Sequence, residues 1–385
     1  MKIGQVIVFL LIALGIYGAI NYYIFIRGLQ ALPELRHIKL IYSLVFILLA
    51  ASFIIGRIVE RVSVCPLSNF FTYLGAYWLG AMFYFFLIVL LFDFIRLLQL
   101  AVGFYPPFIR DNYSAVKSGL ALLSILSVAI LLTAGHFNAR RPRIKTLNLS
   151  VAKTVPGRQT LTIAMASDIH LGTIVGPKRA DVLVEKINGL NPDLILFAGD
   201  IMDEDLKPVI CNDVGNSLLK LHAPLGIYTI NGNHEYIGGY AKADAYLEAH
   251  GIKVLVDSVV NIQEQFYVIG RADRDAFRFT GYRRKTMPEL TAGLNPDLPC
   301  ILLDHQPFAL EETAANGIDL QLSGHTHHGQ IWPASLITKA MYELSWGYLR
   351  KAATHIYVSS GFGTWGPPIR IGNQPEIVVI RLSFQ

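Results

Sequence analysis

Four long apolar stretches fill most of the first third of the chain, and they limit what this part can fold into. They cover residues 3–26, 40–58, 70–92 and 118–134, separated by polar or proline-containing segments. About 20 apolar residues are enough for a helix to cross a hydrocarbon core of about 30 Å. The sequence therefore predicts an all-α transmembrane region of about four helices, with both ends of this region on the same side of the membrane.

The first stretch has a rival interpretation, as a signal peptide that is removed from the mature protein. A signal peptide has a shorter apolar core, and an Ala-x-Ala-like cleavage site follows it. We find no such site after residue 26. We therefore interpret this stretch as a membrane span.

Composition separates the first third of the chain from the rest. Of the 385 residues, 53% are hydrophobic and 16% are charged, whereas a soluble domain is about 45–50% apolar and about 25% charged. The apolar excess lies in the first third, and the remainder has the mixture of a soluble domain. We therefore divide the chain into a transmembrane helical region, residues 1–145, and a globular domain, residues 146–385.

The net charge of +5 is modest and does not by itself indicate nucleic acid. Lysines and arginines in the loops of a membrane region explain it. We find no basic run with interleaved aromatic residues that would suggest an RNA or DNA surface. We expect membrane lipids and no nucleic acid as partners, and the oligomeric state stays open.

The orientation of the membrane region depends on the Lys and Arg residues near the ends of its helices. Seven lie on one side and six on the other: Lys2, Arg57, Arg61, Arg140, Arg141, Arg143 and Lys145 against Arg27, Arg36, Lys39, Arg96, Arg110 and Lys117. The dense cluster directly after the fourth stretch favours the cytoplasmic side for the globular domain. We expect a multi-pass protein of the plasma (inner) membrane with its globular domain in the cytoplasm.

In the globular domain, short apolar runs alternate with polar, helix-compatible segments. The predicted strands are 161–166, 194–198, 227–230, 254–256, 266–269, 301–303, 320–322, 356–358 and 377–382. The predicted helices are 179–188, 213–221, 242–250 and 308–316. Alternating strands and helices indicate an α/β domain built of layers.

Two residues that are hard to bury follow the first predicted strand of this domain. Asp168 and His170 lie two apart on an extended backbone, so their side chains can point to the same side. A carboxylate and an imidazole aimed at one point suit a divalent metal ion. Taken alone, the pair is better explained by a loop aspartate that caps a turn beside a surface histidine.

The same arrangement recurs after four further predicted strands, and this repetition changes the interpretation. The blocks are Gly199-Asp200, Asn231-Gly232-Asn233-His234-Glu235, Leu303-Asp304-His305-Gln306-Pro307 and Ser323-Gly324-His325-Thr326-His327. Taken singly, each has a plainer explanation as a turn, a helix cap, a loop histidine or a single-metal site. Ligands of α/β sheets, however, gather at the carboxyl ends of the strands, so all five loops can meet in one crevice.

That crevice would hold donors suited to two metal ions. They are Asp168, His170, Asp200, Asn233, His305, His325 and His327. Two divalent ions about 3.5–4 Å apart need a bridging carboxylate and several ligands around each. Mixed Asp, Asn and His ligands suit Mn, Fe or Zn. We therefore predict a cofactor of two divalent metal ions whose identity the sequence does not settle.

This series of motifs resembles the calcineurin-like metallophosphoesterase family over residues 150 to 385. Three further segments resemble, more narrowly, a membrane-associated branch of that family: Gly329-Gln330-Ile331, Ser360-Gly361-Phe362-Gly363 and Gln374-Pro375-Glu376-Ile377. The resemblance implies a four-layer α/β/β/α sandwich. It implies the first metal ligands Asp168, His170, Asp200 and His327, a bridging Asp200, and the second metal ligands Asn233, His305 and His325. It also implies that His234 lies beside the substrate phosphate as the catalytic residue without binding metal.

The sequence departs from the family's pattern where soluble members grip phosphate with arginine. Asp203 and Tyr236 stand near positions where such arginines occur, so another residue must bind phosphate. We predict Arg271 or Arg370 for substrate binding. His328 stands where the branch usually has glycine, either as an additional active-site group or as an exposed side chain.

The sequence thus predicts a membrane-anchored phosphoesterase that hydrolyses a phosphoester or pyrophosphate bond by metal-activated water, with a lipid phosphate as substrate. Residues 331–351 combine aromatic and basic side chains, which suits a membrane interface. We expect this segment to lie over the active site and face the bilayer, unless it is an ordinary packed loop. Two alternatives stay open: a tethered nucleotide or cyclic-nucleotide phosphodiesterase, and a non-catalytic sensor or transporter with a regulatory metal site.

Overall fold

The computed structural model of the protein describes residues 3–385, which divide into two compact units. The first comprises the chain up to His136 together with Gly366–Pro368, and the second comprises Phe137–Trp365 and Ile369–Gln385. The sequence places the division between residues 145 and 146, whereas the compact units divide between residues 136 and 137.

The first unit is built from helices. The helices of this part of the chain are α1 (Ile3–Ala31), α2 (Arg36–Val62), α3 (Pro66–Val102), α4 (Pro107–Asp111) and α5 (Tyr113–Ala139). Four are long and apolar enough to cross a membrane, over Leu10–Ala31, Arg36–Val62, Pro66–Val102 and Tyr113–Ala139. They extend beyond the predicted apolar stretches because polar residues at a helix end can continue its backbone hydrogen bonding after the apolar run stops.

One ion pair links two of these helices. Nη2 of Arg27 in α1 lies 2.8 Å from Oδ2 of Asp93 in α3. The Tyr23 hydroxyl donates a hydrogen bond to the same carboxylate oxygen at 2.6 Å. Polar groups inside membrane-spanning segments usually pair with one another, because hydrocarbon offers them no other partner.

The second unit contains two mixed sheets of six strands each. The strands of the first sheet, in spatial order, are β1 (Arg143–Val151), β12 (Glu376–Phe384), β2 (Thr160–Ala166), β3 (Leu194–Phe197), β4 (Ile227–Thr229) and β5 (Lys253–Val254). The strands of the second are β10 (Gly347–Lys351), β11 (Thr354–Val358), β9 (Leu320–Ser323), β8 (Cys300–Leu303), β7 (Phe266–Gly270) and β6 (Ser258–Ile262).

Helices cover the outer faces of both sheets. The helices of the second unit are α6 (Pro177–Asn188), α7 (Lys207–Cys211), α8 (Gly215–Leu218), α9 (Asn233–Gly238), α10 (Tyr240–Ala249), α11 (Ala276–Thr280), α12 (Met287–Thr291), α13 (Leu310–Ala315) and α14 (Ala334–Met341), with a 3₁₀ turn at His327–Gly329. Ile187 of α6 and Leu247 of α10 belong to the core on the first sheet. Met287 and Leu290 of α12 belong to the core on the second.

The largest core lies between the two sheets, and strand alternation builds it. Leu161, Ile163 and Met165 of β2 join this core, whereas the intervening Ala164 and Ala166 face the helices of the first sheet. Strands buried on both faces lack a polar side, which explains their nearly continuous apolar runs. The predicted α/β/β/α sandwich is confirmed, and so are the apolar helices before it.

All nine predicted strands overlap an observed strand, and three strands were missed. The missed strands β1, β6 and β10 all lie at sheet edges. Each is largely half-buried or exposed, so its sequence lacks the apolar run that identifies a buried strand. The predicted helix over 213–221 was wrong in extent, because the chain forms only the short helix α8 there.

Candidate metal centre

The seven predicted ligands lie on loops that follow five strands. Asp168 and His170 follow β2, Asp200 follows β3, Asn233 opens α9 after β4, His305 follows β8, and His325 and His327 follow β9. Strands β2, β3 and β4 are parallel, as are β8 and β9. Parallel strands end at the same edge of their sheet, where α/β folds place their ligands.

The backbone of these loops is strained at most of the predicted ligands. Residues with a positive φ include Asp168 at 50°, His170 at 52°, Asp200 at 52°, His325 at 70° and His327 at 46°. Such values are uncommon for residues other than glycine and persist only where the surrounding structure enforces them. They turn each side chain away from the direction that an extended strand would give it.

The first ligand group consists of Asp168, His170 and His327, whose ligand atoms lie within 4.8 Å of one another. Nε2 of His327 lies 3.4 Å from Oδ1 of Asp168 and 3.0 Å from Nε2 of His170. Two donors that each lie about 2.1 Å from one ion are separated by roughly 3–3.5 Å. These three side chains are therefore spaced as ligands of one ion.

The second ligand group consists of Asp200, His305 and His325, which meet the same distance limit. Nε2 of His305 lies 3.1 Å from Oδ2 of Asp200. Oδ1 of Asn233 joins the group, at 2.8 Å from Nδ1 of His325 and 3.3 Å from Nε2 of His305. Burial, followed by the positive charge of His305, lowers the pKa of His325 to about 3, so its imidazole is a neutral ligand.

Asp200 reaches both groups. The Oδ2 atom that lies close to His305 is also 4.0 Å from Nε2 of His170. Burial opposes the charge of this carboxyl, but His305 and His234 hold its pKa well below the usual range. The donor set, with its carboxylate between two histidine groups, fits two divalent ions.

Two glycines allow the ligand loops to approach this closely. A Cβ atom on Gly324 would lie 2.3 Å from Oδ2 of Asp168. A Cβ atom on Gly232 would lie 2.2 Å from Oδ1 and 2.7 Å from the backbone nitrogen of Asp200. Because both contacts are far inside van der Waals distance, any larger residue would displace a ligand.

His234 lies beside the first ligand group, with its ring centroid 4.5 Å from that of His170 in an edge-on arrangement. Its Nδ1 atom lies 3.2 Å from Oδ1 of Asp203, which is also 3.8 Å from Nδ1 of His170. In the sequence, Asp203 stands out only as a departure from an arginine pattern. In the structure it orients the predicted catalytic histidine.

The charge around His234 favours its protonated form. Burial opposes protonation, but the carboxylates of Asp200 and Asp203 outweigh it and raise the pKa of His234 to about 9. A histidine that is protonated near neutral pH can donate a proton to a departing oxygen.

Glu235 is a further residue whose role the sequence did not reveal. Its Oε2 accepts hydrogen bonds from the backbone nitrogens of Gly232 at 2.8 Å and Asp200 at 3.1 Å. Its Oε1 accepts one from the backbone nitrogen of Met202 at 2.8 Å. This buried carboxyl therefore holds the loops after β3 and β4 together and positions Asp200. Only the Asn-His-Glu sequence pointed to it.

The two arginines predicted to bind substrate are both buried and engaged within the protein. Nη1 of Arg271 lies 3.3 Å from Oδ2 of Asp304, and Nη2 lies 3.6 Å from Oε1 of Glu312. Arg370 is fully buried and donates to the carbonyl oxygens of Ser360 and Gly363, both at 2.7 Å. Either arginine would have to leave these contacts to grip a substrate phosphate.

Arg370 contacts the metal centre from behind. Its Nη2 lies 3.4 Å from Nδ1 of His327, whose Nε2 faces Asp168 and His170. Once Nε2 of a neutral His327 binds an ion, the outer Nδ1 carries the ring proton, and a guanidinium offers no acceptor for it. Arg370 can therefore position the ring of His327 only by packing against it.

His328 is half-buried and faces a different cavity from the seven ligands. That cavity has a volume of about 390 Å³ and is lined in part by Arg143, Trp346 and Asn373. The ring centroids of His328 and Trp346 lie 4.9 Å apart. Trp346 also donates a hydrogen bond to Oε1 of the buried Glu376, so the second half of the expected membrane segment is partly packed against the domain.

The arrangement has counterparts among known proteins. Residues 161–329, which include all five ligand loops, match the calcineurin-like phosphoesterase family. An uncharacterized metallophosphoesterase of Campylobacter jejuni is 29% identical over 98% of this chain and 98% of its own length. One of Aquifex aeolicus is 32% identical over 66% of this chain and 98% of its own. A transmembrane protein with metallophosphoesterase domain of Bos taurus is 32% identical over 70% of this chain and 63% of its own.

Proposed function

Since the chain belongs to the calcineurin-like phosphoesterase family, we propose that it is a membrane-anchored hydrolase that cleaves a phosphoester or pyrophosphate bond. The observation that carries the proposal is the convergence of seven donor side chains from five loops, with Asp200 between the two histidine groups. A site kept only for regulation has no need of a histidine that a carboxylate holds beside the ligands, and His234 stands there against Asp203.

We assign two divalent ions, Mn, Fe or Zn, to the two ligand groups, with Asp200 contributing to both. When bound, such ions lower the pKa of water and neutralise phosphate oxygens. The chain's own contribution is to hold the donors at fixed positions, through strained loops and through the braces Glu235 and Arg370.

His234 is the residue that we assign to proton transfer. Asp203 occupies its Nδ1 side, so Nε2 is left to donate a proton to the oxygen of the leaving group. The Asp203 carboxylate against Nδ1 favours the protonated form of this imidazole. Asp203 itself acts through His234 and is a positioning residue.

We propose a lipid phosphate or lipid-linked pyrophosphate as the substrate, in the plasma membrane, with the catalytic domain on the cytoplasmic side. The support is the helix α14, which directly follows the loop carrying His327. Leu336 and Ile337 of this helix and the preceding Trp332 are exposed, and Lys339 lies among them. Apolar and basic side chains on one short helix suit the interface of a bilayer.

A panel of substrates tests the proposal with the purified full-length protein and added Mn. We expect hydrolysis of a lipid phosphate and of a generic aryl phosphate, with kcat/KM higher for the lipid. Faster hydrolysis of nucleotides or cyclic nucleotides would support the tethered phosphodiesterase instead. No turnover of any phosphoester by protein that contains bound metal would support a sensor or transporter.

The exposed apolar side chains can be tested separately. Replacing Trp332, Leu336 and Ile337 with serine should lower turnover of a detergent-dispersed lipid phosphate while leaving aryl phosphate turnover unchanged. A matched control replaces Leu219, an equally exposed leucine, with serine. Full lipid turnover in the triple variant would argue against a bilayer-facing α14.

A further inference from the structure

Residues 274–285, called the basic-aromatic segment below, form an unusual stretch of the second unit. They contain five Arg and Lys residues against one Asp, with Phe277, Phe279 and Tyr282 between them. The expectation that the chain has no basic run with interleaved aromatic residues was wrong for this segment. The proposed function assigns no role to it.

The aromatic side chains of the segment and all of its basic residues except Arg284 are exposed. Phe277 is 67% exposed, Tyr282 41% and Phe279 37%. The exposed cationic residues are Arg274, Arg278, Arg283 and Lys285. Clustered exposed aromatic side chains are uncommon on a soluble domain and usually mark a surface that meets something else.

The base of the segment is fixed to the metal centre. Oδ2 of the buried Asp304 lies 2.7 Å from Nη2 of Arg284, near the end of the segment, and 3.3 Å from Nη1 of Arg271, just before it. Asp304 directly precedes the ligand His305. The two ends of the segment are thus held by one carboxylate next to the second ligand group.

A second contact joins the segment to the catalytic helix. Ala276 of α11 is buried against Tyr236, which belongs to α9, the helix that begins with Asn233 and His234. The segment is therefore anchored on α9 through Ala276, whereas the neighbouring Phe277 is exposed to solvent beside the site.

Aromatic contacts continue from the segment to a metal ligand. The Arg274 guanidinium lies 4.7 Å from the ring centroid of Phe308, which lies 4.7 Å from that of Tyr342. The Tyr342 ring lies 6.2 Å from that of His325. A surface bound to the segment would therefore lie beside the second ligand group.

We propose that the basic-aromatic segment docks on an anionic bilayer and so presents the metal centre to phosphate groups of that membrane. Four Lys and Arg side chains complement anionic headgroups, and aromatic rings favour the headgroup level. The same chain carries four helices apolar enough to hold it at a membrane. The presentation of the metal centre to membrane phosphates rests on the lipid substrate of the proposed function. Docking of the segment on a bilayer can be measured without hydrolysis.

The test uses the full-length protein in nanodiscs of phosphatidylcholine, with or without about one third phosphatidylglycerol. A nitrobenzoxadiazole label is placed at Phe277→Cys after Cys65 and Cys211 are replaced by serine, since Cys300 is buried. Lipids carrying a doxyl quencher should quench this label, roughly twofold more strongly in the anionic discs. High salt should reduce the difference, because exposed charges are screened beyond about 8 Å already at physiological ionic strength.

Matched variants decide what the quenching means. Arg278→Glu with Arg283→Glu should abolish the anionic preference, whereas Lys220→Glu with Lys253→Glu should leave it intact. The same label at Leu219→Cys should be quenched weakly in both kinds of disc. Near-ultraviolet circular dichroism of each variant confirms that it is folded.

Three outcomes would overturn the proposal. One is equal quenching at positions 277 and 219. Another concerns the protein in detergent: if the 277 label becomes less accessible to a soluble quencher as the protein concentration rises, the segment binds a second copy of the chain. The third is loss of the lipid quenching when RNA is added, which would make nucleic acid the partner of the segment. Aryl phosphate hydrolysis by the same samples reports separately on the proposed function, so either idea can fail alone.

Discussion

The two ligand groups are alike in composition but differ in enclosure. All three members of the first group, Asp168, His170 and His327, are buried and have positive φ values. In the second group His305 has an ordinary backbone, and His325 is only half-buried beside Tyr342. The first ion would therefore lie in a closed, strained pocket, and the second would lie near the opening.

The braces of the two groups differ as well. His327 of the first group is backed by the Arg370 side chain, which is held by four hydrogen bonds to Ser360, Gly363 and Asn373. Nδ1 of His305 lies 2.7 Å from the backbone carbonyl oxygen of Ala198. A side-chain brace can be changed by mutation without altering the backbone, so the first group can be weakened selectively. The comparison indicates one enclosed ion position and one near the opening of the site.

The largest expected effect comes from removing the residue that the two groups share. Asp200→Asn should lose both ions and turnover, because the neutral amide cannot bridge two cations. Even changes outside the ligand shell reduce metal affinity roughly 10–100-fold, so the loss should exceed that range. Metal analysis after gel filtration measures it, with the exposed Asp297→Asn as control. Full occupancy in the Asp200 variant would count against the bridge.

His234 adjoins the first group without belonging to it, and its removal should separate chemistry from metal binding. His234→Ala should keep both ions and lose about 10²–10⁴-fold in kcat, the usual contribution of a proton-transfer residue. The exposed His222→Ala serves as a matched control. Normal turnover in a metal-loaded His234 variant would remove this residue from the mechanism.

Replacing the brace of the first group should have a smaller and one-sided effect. Arg370→Lys keeps the charge but loses the planar fork that binds Ser360 and Gly363 and packs against His327. We expect about tenfold weaker binding of one ion, unchanged binding of the other, and an unchanged KM for aryl phosphate. If Arg370 grips the substrate phosphate, as the sequence predicts, KM would rise instead, and that result would reverse the assignment made from its contacts.

The smallest effect should be a difference in rate between the two ions of the unmodified protein. During dialysis against a chelator, the ion of the second group should leave several-fold faster, because His325 is more accessible than any ligand of the first group. Spectra of the cobalt-substituted protein during removal would show two phases. A single phase would erase the proposed distinction.

Most strands of this fold could be predicted from the sequence because a buried strand consists mainly of apolar residues. Strands such as β3 and β8 are buried on both faces and therefore appear as unbroken apolar runs. The strand β1 was missed because it begins with Arg143 and Lys145, whose charges suit a membrane boundary equally well. Its identity as a strand comes from parallel pairing with β12, which lies more than 200 residues away in the chain.

The sequence by itself determined which side chains could bind metal, since each follows a strand in a short motif with glycine or a second donor. The family resemblance also implied their division into two groups, but tertiary structure alone decided the direction of each side chain, because that depends on loop twists at Asp168, Asp200 and His325 that no local pattern encodes. Tertiary structure also decided the positioning roles of Asp203, Glu235 and Arg370, which act through contacts with residues distant in the chain. The type of a residue decides whether its side chain can bind metal, whereas the folded backbone decides where that side chain points and which residues it contacts.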